Sequence, residues 1–374
     1  MTASSSTATP GRVRVAVAGL GWAGREIWLP RLAAHPRFAV TAVVDPDPAA
    51  RERARATHQV PSAYADVDDV PAGAVDLVVV AVPNHLHAGV AARLLRRGVP
   101  VFLEKPVCLT SAEAEQLAEA ERAGGAVLLA GSAARYRADV RALVEATADL
   151  GAVRHVDVAW VRARGVPDAG GWFTRRELAG GGALVDLGWH LLDTVLPLLG
   201  PSPVAHAVGS VSDDFVNDDA AAAAWRGTAA DTGRARGDVE DTARAFLLTA
   251  DGTSAGLHAC WASHEARDRT TIAVHGTGGS VTLHCTFGFS PNREPTPVLT
   301  RTRDGETVRL PLPVEPIGAE YDRQLDVLPE LLAAPASRGA AAADARRTID
   351  VIERIYRCAR PTAPTYALAG TLDR

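Results

Sequence analysis

The chain has 374 residues, 47% of them hydrophobic and 22% charged, with a formal net charge of -5. That is enough material for two globular domains, and the acidic balance excludes a general affinity for nucleic acid or an anionic membrane. No apolar run is expected to span a bilayer, and residues 1–11 read as a disordered tail without the apolar core of a secretory signal. The cysteines at 108, 260, 285 and 358 lack paired spacing, so reduced thiols in a cytoplasm are expected.

In chain order, the first third alternates strands and helices. A short apolar run at 13–19 leads to a helix at 22–34, stopped by His35-Pro36. A strand at 38–44, a helix at 48–58 and a Val-rich run at 75–82 follow. The last of these has the pattern of a strand buried on both faces. A helix at 87–97, a strand at 100–103, a helix opened by Thr110-x-x-Glu113 and closed by Gly124-Gly125, and a strand at 127–130 complete the series. The alternation predicts an α/β fold with a doubly wound parallel sheet over residues 12–132.

Residues 133–374 have a different rhythm. A helix at 138–148 precedes a strand at 152–164, and a Gly-rich stretch opens a helix at 183–199. Period-2 runs at 204–215, 242–250, 254–264, 271–275 and 280–284 predict a second α/β domain with an open, mostly antiparallel sheet. The stretch 217–238 reads as an inserted mobile loop. Helices at 319–332 and 340–360 are expected to return to the first domain.

Three motifs carry chemistry. Gly19-Leu20-Gly21-Trp22-Ala23-Gly24 follows a strand and opens a helix. Its glycines suit a tight turn, the approach of a pyrophosphate and close helix–strand packing, with the phosphates on the free helix amides. Asp45 ends the next strand, where a carboxylate binds a ribose 2′-hydroxyl and repels a 2′-phosphate, so NAD is favoured over NADP despite Arg51 and Arg53 nearby. Pro83, Asn84 and His87 lie on the same rim. Asn84 also reads as a helix N-cap, and His85 and His87 as helix-start residues.

Glu104-Lys105-Pro106 follows another strand of that sheet, which aims Lys105 at the crevice where such sheets bind ligands. Lys105 is the only lysine in the sequence, against 38 arginines (39 Lys+Arg less one). Arginine cannot replace it where a compact ammonium or a mobile proton is needed. In Gly180-Gly181-Gly182-Ala183-Leu184-Val185-Asp186-Leu187-Gly188-Trp189-His190, Asp186 and His190 stand four apart on a predicted helix, hence on one face. Histidine exchanges a proton near neutral pH and a carboxylate can orient it. The three glycines are expected to let the chain pass close to a ligand. Asp193 reads as a supporting or structural group. Trp172 suits either stacking on a sugar or nicotinamide or packing in the core, and Arg135 and Tyr136 follow the last strand of the first domain. His258, Cys260 and His264 share a strand face but are too far apart for joint ligation, so no metal is expected.

GLGWAG, EKP and GGGALVDLGWH, in this order, resemble the glucose–fructose oxidoreductase, inositol dehydrogenase and rhizopine-catabolism (Gfo/Idh/MocA) family, and the resemblance runs through the terminal VIERIYRCAR. It implies a Rossmann domain followed by an α/β domain whose open sheet mediates assembly, here a homodimer or homotetramer. It implies that Lys105, Asp186 and His190 are the catalytic group and line the substrate site. It also implies hydride transfer between NAD and a secondary alcohol or ketone of a sugar, a cyclitol or an aminoglycoside-type intermediate. Two other functions occur on this fold. One is a glycosidase or epimerase that keeps its NAD and oxidises transiently; the other is a nucleotide-sensing regulator, which has no need of a proton relay.

Overall fold

A computed structural model describes residues 11–167, 171–223 and 236–359. Strands β1 (Val13–Ala18), β2 (Phe38–Val44), β3 (Ser62–Tyr64), β4 (Leu77–Val80), β5 (Val101–Leu103) and β6 (Leu128–Ala130) form a six-stranded sheet in the order β3-β2-β1-β4-β5-β6. Every pairing in it is parallel. All four residues of β4 are buried, as its unbroken Val pattern predicts for a central strand covered on both faces. Chain order reverses between β1 and β4, which opens a crevice at their carboxyl ends.

Helices α1 (Leu29–Ala34), α2 (Pro48–His58), α3 (His87–Arg96) and α4 (Ser111–Gly124) fill the crossovers. Local chemistry fixes their ends. Asp47 caps α2 by accepting from the Ala49 amide, and Thr110 caps α4 by accepting from Glu113. Gly125 leaves α4 in the left-handed conformation at φ 67°.

The second domain opens with α5 (Ala138–Thr147) and continues through β7 (Val153–Val161), α6 (Arg176–Ala179) and α7 (Trp189–Val195). Strands β8 (Val204–Ser212), β9 (Thr242–Thr249), β10 (Ser254–Cys260), β11 (Arg269–Gly276), β12 (Gly279–Cys285), β13 (Val298–Arg303) and β14 (Glu306–Leu310) follow. With β7 they form an eight-stranded sheet in the order β14-β13-β12-β11-β7-β10-β9-β8. Only the β7–β10 pairing is parallel.

Helix α8 (Ala319–Ala333) packs on the first sheet: Leu325 and Leu328 join Val15, Val17, Leu77 and Val79 in one buried cluster. Helix α9 (Ala340–Ala359) ties the two domains together. Glu353 accepts from the Ser111 hydroxyl of α4, and the Cys358 thiol donates to the Ala207 carbonyl of β8.

The sequence reading needs several corrections. It misses β3, β13 and β14, which are three to six residues long and lie at or beside sheet edges, where burial imposes the least pattern. The strand expected at 204–215 stops at Ser212. The helices expected at 22–34 and 183–199 both begin as wide π-turns, at Ala23–Trp28 and Leu184–Gly188. The segment Arg176–Leu199 is long and apolar enough to cross a membrane by length and composition, contrary to expectation. Yet 83% of its most apolar window is buried in the protein, as a core element would be. The tail at 1–10 and most of the insertion, residues 224–235, lie outside the described residues. The base of the insertion is clamped by Asn217, which donates to the Gly237 carbonyl and accepts from its amide.

Candidate active site

The glycine turn begins where β1 ends. Gly19 has φ +91°, and a Cβ there would stand 2.5 Å from the Ala81 carbonyl oxygen. A Cβ on Gly24 would collide with the Gly19 carbonyl, so this glycine lets helix and strand close on each other. Gly21 differs: no atom lies within 4 Å of the position its Cβ would take. Internal packing explains Gly19 and Gly24 but not Gly21, and the open space above Gly21 fits a diphosphate lying on the turn.

Asp45 accepts from the Leu20 amide through Oδ2 (2.7 Å) and from the Asp47 amide through Oδ1 (2.9 Å). Its carboxylate therefore fixes the turn itself and retains lone pairs for a ribose hydroxyl. Arg51 donates to the Asp45 and Pro46 carbonyls. Trp22 stands edge-on to Phe289 from the loop after β12, with ring centroids 5.6 Å apart, which ties the turn to the second domain. Ala23 begins the π-turn.

On the opposite rim Pro83, not Asn84, is the cap residue of the short turn Asn84–Leu86. The N-cap reading of Asn84 gives way to a cross-domain one: its Nδ2 donates to the Ala179 carbonyl of α6 at 3.0 Å. His87 is buried, with Nδ1 2.6 Å from the Pro106 carbonyl and Nε2 2.8 Å from the Val82 carbonyl. It sits between the loops that carry Asn84 and Lys105; burial holds its pKa down to about 4, so the neutral ring donates to one of the two carbonyls and packs against the other. Glu104 is likewise turned inward. It accepts the Trp28 indole N–H at 2.8 Å and the Lys105 amide at 2.8 Å, which stiffens the backbone under the lysine.

Lys105 and Asp186 converge from the two domains. The ammonium donates to Asp186 Oδ1 at 2.6 Å, with 17% and 9% of the two side chains exposed. The Trp261 indole donates to Asp186 Oδ2 at 2.9 Å. Asp186 thus holds Lys105 and Trp261 at its two oxygens, and its charge also acts on His190, four residues on.

His190 lies at the start of α7 with its ring 5.7 Å from that of Trp160. The Arg162 guanidinium covers the Trp160 ring at 4.8 Å. Burial, then the charges of Lys105 and Arg162, hold the His190 pKa down to about 3 against the opposing pull of Asp186. The imidazole is therefore neutral at ordinary pH, the form a general base starts from.

The remaining candidates occupy supporting positions. Asp193 is buried and paired with Arg135 at 2.7 Å, and Arg135 also reaches Asp344 of α9 at 2.8 Å. Burial raises the Asp193 pKa to about 6. Trp172 is half-buried and packs on Phe173 (4.9 Å), which in turn lies 6.2 Å from Trp261. Trp261 and Trp160 escaped the sequence reading. Each sits in or just after a strand of ordinary alternation, and nothing local distinguishes a functional tryptophan from a core one.

A glycine turn at the switch point of a parallel sheet, an amine just past another strand of that sheet, and a carboxylate and an imidazole on a helix of the second domain together define a dinucleotide-dependent oxidoreductase. Residues 13–132 match the model of an oxidoreductase family with an NAD-binding Rossmann fold, and residues 138–282 match the GFO/IDH/MocA C-terminal domain. The chain belongs to the Gfo/Idh/MocA oxidoreductase family.

It is 56% identical over 359 residues to a protein of Amycolatopsis mediterranei (strain S699) provisionally named UDP-kanosamine synthase oxidoreductase subunit, covering 95% of this chain and 99% of that one. Among solved structures it resembles GenD2 from gentamicin A biosynthesis in complex with NAD (28% identity, TM-score 0.71, 96% and 97% of the two chains). It also resembles the aldose-aldose oxidoreductase from Caulobacter crescentus complexed with glycerol (26%, TM-score 0.74, 93% and 98%).

Proposed function

We propose that this chain is an NAD-dependent oxidoreductase that transfers a hydride between nicotinamide and a secondary alcohol, or its ketone, on a sugar. The substrate class most in keeping with its relatives is a UDP-linked hexose or an aminoglycoside-type intermediate. The observation that carries the reading is the 2.6 Å pair of Lys105 and Asp186 beside a neutral His190, in a chain whose glycine turn leaves open space above Gly21. The A. mediterranei relative, named for an amino sugar on a UDP carrier, supports the substrate class. Amination of a hexose carbon needs a ketone there, and oxidation of the secondary alcohol provides it.

Gly19, Leu20, Gly21, Trp22, Ala23 and Gly24 would hold the cofactor's diphosphate and Asp45 its ribose, with Pro83, Asn84 and Lys105 on the rim beside it. Glu104 and His87 stiffen that border from behind. When bound, the nicotinamide accepts or returns the hydride. Lys105 donates a hydrogen bond to the substrate oxygen and stabilises the negative charge that develops on it. His190 takes the hydroxyl proton in oxidation and gives it back in reduction. Asp186 keeps the ammonium aimed, and Trp172 borders the pocket on the side of Phe173 and Trp261. The relatives named above are oxidoreductases, so the cofactor-retaining glycosidase and the regulator are not carried further.

The test is a panel of UDP-hexoses, free sugars, inositols and aminoglycosides with NAD or NADP, followed by nicotinamide absorbance. Substrate-dependent reduction of NAD that Lys105→Ala abolishes is expected. Turnover only without added cofactor, or equal activity in Lys105→Ala, would overturn the reading.

A further inference from the structure

The helix that carries Asp186 and His190 starts without a cap of its own. The first amides of a helix need acceptors, usually supplied by a Ser, Thr, Asp or Asn side chain just before it. Here Gly180, Gly181 and Gly182 precede it and offer none. The acceptor comes from Glu240, 58 residues further along the chain and 2% exposed. Its Oε1 accepts from the Gly182 amide at 2.9 Å, the Leu184 amide at 3.1 Å and the Tyr356 hydroxyl at 2.7 Å. Its Oε2 accepts from Arg176 at 3.3 Å, and its backbone carbonyl accepts from the Ala183 amide at 3.0 Å.

The glycines make room for this clamp. A side chain on Gly181 would collide with the Tyr356 hydroxyl, and one on Gly182 with the Glu240 carbonyl. The next residue completes the link: the Asp241 carbonyl accepts from the Trp261 amide at 2.8 Å, and Trp261 holds Asp186. Glu240-Asp241 thus joins both supports of the carboxylate that aims Lys105.

We infer that Glu240 is a positioning residue for the hydride-transfer step, acting through the start of the helix that bears Asp186. The inference rests on the proposed catalytic role of Lys105, so its test includes a readout independent of turnover. Lys105 is the only lysine, so amine labelling followed by peptide mass spectrometry reports on its side chain alone. An ammonium held by Asp186 reacts slowly, and one released from it reacts faster.

Glu240→Ala is expected to raise the Lys105 labelling rate about fivefold or more and to lower kcat roughly 10- to 100-fold, the scale of a small misplacement of reacting groups. The Kd for NAD should stay within about twofold. Glu240→Gln keeps an acceptor for both amides and should restore both readouts to within about fivefold of wild type. If Glu240→Ala does not fold, Tyr356→Phe removes one donor alone and should move labelling and kcat in the same direction, by about two- to fivefold.

Wild-type labelling rates in folded Glu240→Ala, or in Tyr356→Phe where the first variant is lost, would overturn the inference. So would a Glu240→Gln protein as impaired as Glu240→Ala. If no substrate in the panel turns over, the proposed function fails while the labelling comparison still decides the role of Glu240.

Discussion

Trp261 and Lys105 grip opposite oxygens of Asp186, the indole at 2.9 Å and the ammonium at 2.6 Å. A carboxylate held at one oxygen can rotate away; one held at both cannot, and its direction is passed to the amine. Trp261 itself is fully buried, so its ring is fixed by packing before the hydrogen bond forms.

Removing only the indole N–H tests this directly. Trp261→Phe keeps an aromatic ring and loses one hydrogen bond to a charged group, worth about 1.5–3 kcal/mol. We expect kcat/KM to fall by roughly 10- to 100-fold, with the Kd for NAD, followed by fluorescence titration, almost unchanged. Unaltered kcat/KM would mean that the indole is not needed to hold the carboxylate in place.

His190 gives a prediction about pH whose sign follows from its surroundings. A base works in its unprotonated form. Because the pKa of His190 is held down to about 3 rather than lying near the ordinary 6.5, the ring stays unprotonated well below neutrality. Substrate oxidation should therefore show no loss of kcat/KM from this group between about pH 7 and pH 5. His190→Ala should lower turnover by about 10²–10⁴-fold and leave NAD affinity intact. An acid limb centred near pH 6.5 that disappears in the alanine variant would show that the free enzyme protonates this ring at its ordinary pKa.

The first domain was legible because its signals are local. Strand–helix alternation, the Thr110 cap and the demands on Gly19 and Gly24 all act within a few residues or between adjacent strands. The triple glycine shows where such reasoning stops. It was recognised as a place of close approach, but what approaches is Glu240 and Tyr356, which no spacing rule connects to it. Asp186 and His190 were found by helical spacing, whereas the partners that orient Asp186 lie 81 and 75 residues away in the chain. The candidate residues are readable in the sequence; their wiring belongs to the packing of the two domains.

The glycine turn separates folding from binding. Gly24→Ala forces a methyl group against the Gly19 carbonyl and should destabilise the first domain, lowering Tm by several degrees as a buried clash of about 1–3 kcal/mol does. Gly21→Ala meets no protein atom within 4 Å and should leave Tm within about a degree of wild type. It should nevertheless weaken NAD by about tenfold or more, since the methyl group occupies the space offered to the diphosphate. Thermal unfolding without cofactor and a cofactor titration distinguish the two variants. Tight NAD binding by Gly21→Ala would remove the turn from the cofactor site.

The outer face of the eight-stranded sheet gives a prediction about assembly. Val208 on β8 and Phe246 on β9 are opposite each other in register and are 68% and 51% exposed. Phe246 stacks on His155 with ring centroids 6.1 Å apart, and His155 and His275 flank Asp157 at 3.0 and 3.7 Å. Eight strands about 4.8 Å apart and about seven residues long, each residue rising about 3.3 Å, present roughly 900 Å². A stable interface needs about 800 Å² per partner, so one such face suffices for a dimer without help from loops. We expect the wild-type protein to elute as a dimer or tetramer in light-scattering chromatography at micromolar concentration. Phe246→Glu should shift it to a monomer, because each copy would bury an added carboxylate in the interface. A wild-type monomer at those concentrations, or a Phe246→Glu protein of unchanged mass, would rule out this face as the contact between copies.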